Sequence, residues 1–248
     1  INMQGQVDGI NTWITSSTGG SVGLGFSIPI NNVLNSIDQI ITTGSVEYGW
    51  IGVSIGDITR DFAEALEVEN SRGAFIHHVF TNGPAWDAGV RPGDFVTAIN
   101  GRRVKGRDDL VLLVGNLPAG DEAIFDINRG GETLSVNVTV AARLDEKTIA
   151  EQYRVLWPGF TVFPLNDTLR KEIEVDADVA GVVIANVEQR SAAAVAGLRQ
   201  GDIITMINDS EIESLQDFYS IVGQKDQKDF EIHFLRDSVQ LRIGITRL

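Results

Sequence analysis

The side chains able to do chemistry are few in this chain, and their spacing argues against most of the chemistry they could do. Gly19-Gly20-Ser21-Val22-Gly23 has the G-x-S-x-G spacing of a nucleophile elbow, a turn that needs a strand before the serine and a helix after it. Here a strand-like run, Val22 to Pro29, follows instead. The stretch therefore reads as a polar turn between two strands. His77 and His78 are neighbours on an apolar run, Ala74 to Val79; adjacent strand residues point to opposite faces, so the pair cannot share a metal ion. With His233 as the third histidine and no Cys, no zinc set can be assembled, and no carboxylates have calcium-loop spacing. The sequence thus predicts no catalytic residue, no metal and no cofactor. Asp94 and Asp202 recur in one context and read as turn-forming carboxylates of two separate domains rather than a paired acid site. Arg129 and Arg236 fall beside turns at strand ends, where a solvated guanidinium is expected.

The elements that would position any site come in two copies. Ala88 to Gly101 recurs as Ala196 to Asp209, 108 residues further on, with Ala, Gly, Arg, Gly, Asp, Thr, Ile and Asn at the same places. A period that long is a repeated domain rather than a solenoid unit. Each copy reads as a Gly-punctuated connection, a buried strand such as Phe95 to Ile99, and a hairpin turn at Asn100-Gly101. Around the first copy the pattern predicts a loop feeding a strand at Tyr48 to Ile55, a short helix over Asp57 to Glu67, and a helix at Asp108 to Val114. Two strands then meet at Gly130-Gly131. Upstream lie two strands, Val7 to Ile14 and Val22 to Pro29, and a helix capped by Asn31-Asn32 that ends at Gly44, with Val33, Ile37, Ile40 and Ile41 on one face. A net charge of −14 repels phosphate backbones and anionic bilayers, so nucleic-acid partners are not expected. No run approaches about 18 consecutive apolar residues, so neither is membrane insertion.

The repeated pattern A-G-(V/L)-x-x-G-D-x-(V/I)-x-x-I-N resembles the central signature of PDZ domains, in the form found in trypsin-like proteases of the HtrA/Do family. Residues 2–12 and 23–29 resemble the end of that family's protease domain. The resemblance implies a mainly β fold with short helices (α+β). Residues 1–44 would be a remnant of a trypsin-like β-barrel, 45–142 a first PDZ domain, 143–151 a linker and 152–248 a second PDZ domain. Each PDZ domain would be a small, partly open barrel or sandwich capped by two helices.

In that fold the loop matched by Trp50-Ile51-Gly52-Val53 aims successive backbone N–H groups at a peptide's terminal carboxylate, and the peptide adds as a strand to an open sheet edge. Trp50, Ile51, Gly52, Val53, Ile55, Leu110, Leu113 and Val114 are the expected peptide-binding residues. The second copy of the loop has Pro158 where the first has Ile51. Proline lacks an N–H, so this module is expected to bind tails weakly.

By resemblance the catalytic serine would lie a handful of residues before Ile1, and the chain itself would be proteolytically inert. Its expected role is the regulatory, substrate-binding part of a periplasmic serine endopeptidase of protein quality control. Such a protein would take C-terminal or unfolded polypeptides as partners and form homo-oligomers. The alternative is a non-enzymatic PDZ scaffold that tethers partner proteins.

Overall fold

A computed structural model describes residues 1–15, 23–66, 68, 72–145, 147–149, 156–176 and 178–247. They form two compact units, residues 1–48 and 49–248. In the first unit, β1 (Gly9–Ile14) pairs antiparallel with β2 (Gly25–Pro29). Trp13 stacks on Phe26 across the pair at 4.1 Å. Gly19 to Val22 of the G-x-S-x-G stretch lie outside the described residues. The expected helix follows, but Asn31 and Asn32 do not cap it. They sit in a 3-10 turn, and α1 (Leu34–Thr43) starts after Val33 with no side-chain cap. It ends as expected, on Gly44 in the left-handed conformation at φ 80°.

The second unit holds both copies of the repeat. The first comprises β3 (Gly49–Trp50), β4 (Val53–Gly56), α2 (Arg60–Ala65), β5 (Ala74–Phe80), α3 (Pro84–Ala88), β6 (Phe95–Ile99), β7 (Arg102–Arg103), α4 (Arg107–Gly115), β8 (Glu122–Arg129), β9 (Glu132–Thr139) and β10 (Ala141–Ala142). The second comprises β11 (Leu156–Trp157), β12 (Phe160–Pro164), α5 (Asp167–Glu172), β13 (Val182–Val187), α6 (Ala192–Ala196), β14 (Ile203–Ile207), β15 (Ser210–Glu211), α7 (Leu215–Val222), β16 (Asp229–Arg236) and β17 (Val239–Thr246). In module one the sheet runs β4-β5-β6-β8-β9, and in module two β12-β13-β14-β16-β17. Both sheets are open, and the fold is mainly β with short helices.

The duplication is visible in the side chains. In β8, Ala123, Phe125 and Ile127 turn inward on alternate positions, and in β16 Phe230, Ile232 and Phe234 do the same, the period a half-buried strand requires. Asn100 takes φ 49° and Gly101 φ 75°, which is the left-handed pair a tight hairpin turn needs. The Asn100 side chain accepts from the Ile124 N–H, and Asn208 accepts from Glu231 N–H, each at 2.8 Å.

The modules are not separate beads. The first strand of module two, β11, pairs with β5 of module one, Leu156 opposite Phe80 and Trp157 opposite Val79. Trp157 is buried, and its indole N–H donates to the Val222 carbonyl at 2.7 Å. One continuous apolar cluster runs through both modules.

Candidate functional site

The resemblance puts the expected groove of module one between β4 and α4, both of which pack on the module core. β4 pairs with β5 along one edge, and no strand among the described residues pairs with the other. The loop leading into β4 turns on Gly52, which is buried and held at φ 78°. A side chain there would be strained by the backbone and would also meet the Trp50 ring at 3.1 Å. The loop's acceptors are used inside the protein: the Ile51 carbonyl takes the Ala85 N–H at 2.8 Å, and the Gly52 carbonyl takes the Phe80 N–H at 2.9 Å. Among the described residues no hydrogen bond starts from the Ile51 or Gly52 amide. Ladder bonds alternate along an antiparallel strand, and Gly52 faces β5, so the Val53 backbone faces away from it.

Of the residues expected to bind a peptide, the structure places Trp50 half-buried over Gly52, with its ring tilted against Phe80 at 5.7 Å. Ile51 is in the core, and Val53 and Ile55 are half-buried against it. The expected helix residues divide between the core and its margin. Leu110 and Val114 are 1% and 7% exposed and belong to the core; Leu113 is half-buried against it. The open apolar residues of α4 are Val111 and Leu112, 47% and 53% exposed. Five consecutive apolar residues, Leu110 to Val114, give no periodicity from which to choose the outward face.

Asp57 joins β4 to α4 in a way that no local sequence pattern marks. Asp57 was expected inside a helix, but α2 starts later, with Thr59 as its N-cap accepting from the Phe62 N–H at 3.3 Å. Asp57 instead accepts from the Arg107 N–H at 2.7 Å. It thereby satisfies a free donor at the start of α4 and ties the end of one groove wall to the start of the other. A cap supplied from 50 residues away in sequence leaves no local signature.

The two arginines expected in solvent are ion-paired. Arg129 Nε donates to Asp94 Oδ1 at 2.6 Å and its Nη2 to Asp94 Oδ2 at 2.8 Å, while Asp94 also accepts from the Arg91 N–H. Arg236 and Asp202 repeat the fork at 2.7 Å, with Asp202 accepting from the Arg199 N–H. The carboxylates are 0% and 1% exposed. They are turn-formers, as expected, and also counter-ions. The hydrogen bond to Asp94 raises the Arg129 pKa, so this guanidinium stays charged. His77 and His78 stand at the other end of the polarity scale: burial lowers each to about 4, and both are neutral at pH 7.

Residues 49–140 and 159–246 match the PDZ domain family. The chain is 36% identical over 217 residues to a DegP-like periplasmic serine endoprotease of Brucella suis biovar 1, covering 88% of this chain and 42% of that one. A DegP-like endoprotease of Marinomonas sp. is 34% identical over 226 residues, covering 89% of this chain and 47% of the relative. Among solved structures, the HtrA-type protease AlgW with decapeptide is similar at 31% identity over 56% of this chain and 43% of that chain, with a TM-score of 0.48. The chain spans less than half the length of these curated relatives.

Proposed function

The chain belongs to the PDZ domain family, and on that premise we propose that module one seizes the apolar C-terminal tail of another polypeptide. The tail adds as a strand along the open edge of β4. Its carboxylate takes the N–H groups of Ile51, Gly52 and Val53, and its last side chain is received against Val53, Ile55 and the exposed face of α4. The observation that carries this reading is the loop before β4. Its carbonyls accept from Phe80 and Ala85, while among the described residues the Ile51 and Gly52 amides donate no hydrogen bond and β4 pairs with a strand along one edge only. An N–H bond to a charged acceptor contributes about 1.5–3 kcal/mol, and burying an apolar terminal side chain adds a similar amount.

In the parent protein we assign this capture to substrate delivery in a periplasmic serine endopeptidase of HtrA/Do type. The names of the relatives, periplasmic serine endoproteases of DegP-like type, support that context. The capture reading is tested by isothermal titration of the chain with a peptide ending in an apolar residue and with its C-terminally amidated twin. Amidation should weaken binding at least about tenfold, as expected for losing a charge-assisted bond. Equal affinities would overturn the carboxylate cradle.

A further inference from the structure

Module two has the same two groove walls, β12 and α7, and both lie against module one. On the strand wall, Phe163 packs edge-on against Phe62 of α2 at 5.7 Å between ring centroids. The Phe160 backbone faces away from β13, because the neighbouring Gly159 carbonyl is already taken by the Glu188 N–H at 2.9 Å and ladder bonds alternate. Its polar neighbour there is the ring of His78, from β5 of module one. On the helix wall, Tyr219 packs edge-on against Phe75 at 5.3 Å. Tyr219 also lies so close to Gly93 that a Cβ on Gly93 would come within 2.6 Å of the Tyr219 Cβ.

Outside the groove an arginine joins the modules. Arg247 lies 4.7 Å over the ring of Trp86 in α3, whose own module contributes Arg91 at 4.2 Å. Arg247 also donates to the Gln224 carbonyl of module two. Module one therefore packs against both β12 and α7.

We propose that the module-two groove is an internal dock whose occupant is module one of the same chain, so that the tandem offers a single tail-capturing edge. The inference deepens the capture reading and rests on it for the role of β4, while the docking itself stands on the contacts alone. It adds a steric block to the missing donor at Pro158, and it explains why the first strand of module two, β11, is built into the sheet of module one. Glycine at position 93 fits the same account. Its φ of 95° and its contact with Tyr219 both require a residue without a side chain.

The test is residue-resolved NMR on the whole chain. Titration with the apolar-ended peptide should shift the amides of Gly52 to Ile55 and leave Gly159 to Val162 unmoved. The Phe163→Glu, Arg247→Glu double variant places charges in the contact and leaves β4 untouched; because Arg247 is buried and bonds the Gln224 carbonyl of module two, a far-ultraviolet circular dichroism spectrum matching that of the unaltered chain is the control that both modules stay folded. It should raise amide exchange at Phe160 and at His78 by about tenfold or more, as a locally opened contact does, and enlarge the radius of gyration in solution scattering. Peptide shifts in Gly159 to Val162 of the unaltered chain, or a double variant with unchanged exchange and radius, would overturn the dock. A chain in which the double variant opens but the peptide shifts neither groove would keep the dock and remove the capture reading instead.

Discussion

Two carboxylate–arginine forks, Asp94–Arg129 and Asp202–Arg236, occupy equivalent places in the two modules. A buried carboxylate is tolerated only when its lone pairs and its charge are both met. Asp94 meets that condition with two guanidinium bonds and a backbone N–H. The pair also fastens the strand end at Arg129 to the loop before β6, because Arg129 Nη2 reaches the Gly89 carbonyl at 2.8 Å. Arg129→Ala removes the fork and leaves Asp94 in the core, which should cost about 3–5 kcal/mol. Guanidinium denaturation of the variant reads this directly, and a loss below about 1 kcal/mol would mean that Asp94 is not held as an ion by this contact. The sequence repeats Asp94 as Asp202 but gives no sign of the pairing, since Asp94 and Arg129 are 35 positions apart.

Among the elements, the groove of module one depends on how β4 and α4 are joined. α4 has Gly106 as its N-cap residue with no side-chain cap of its own, whereas α7 carries a complete capping box between Ser214 and Asp217. Asp57 supplies the missing cap from the end of β4. Asp57→Ala should therefore cost about 1 kcal/mol, the ordinary value of an N-cap. Its particular signature is faster amide exchange at Arg107 together with a several-fold loss of tail affinity. Intact affinity alongside a frayed helix would show that the groove does not need this tie. Strand and turn positions were legible here because period-2 alternation and Asn-Gly chemistry are local. The helix face was not, because Leu110 to Val114 is apolar throughout and only packing decides which of them are covered.

Across the whole second unit, the two neutral histidines on β5 make stability depend on acidity. His77 and His78 are lowered from 6.5 to about 4, by burial above all; each other's proximity adds to the effect at His78, and the Phe160 backbone opposes it. The unfolded chain takes up protons as pH falls through about 6.5, while the folded chain does so only near 4. Stability attributable to these groups is therefore complete above pH 6.5 and declines between there and pH 4. For fully buried His78 the limit is about 3 kcal/mol, at 1.36 kcal/mol per pKa unit. Replacing His78 with Phe should flatten that part of the pH dependence relative to the unaltered chain, which cancels the titration of the carboxylates common to both. An unchanged slope between pH 6.5 and 4 would refute the assignment.

From the residues alone came the duplication, the mainly β elements, the Gly-led loop before β4 and the family they resemble. These rest on short-range rules: alternation, turn conformations that only Gly or Asn adopts readily, and a pattern written twice. The ion-paired arginines, the cap from Asp57, the covered face of α4 and the seating of one module in the other's groove were decided by tertiary structure. Each of these joins residues tens of positions apart, and what places them is burial, which depends on the packing of the finished fold.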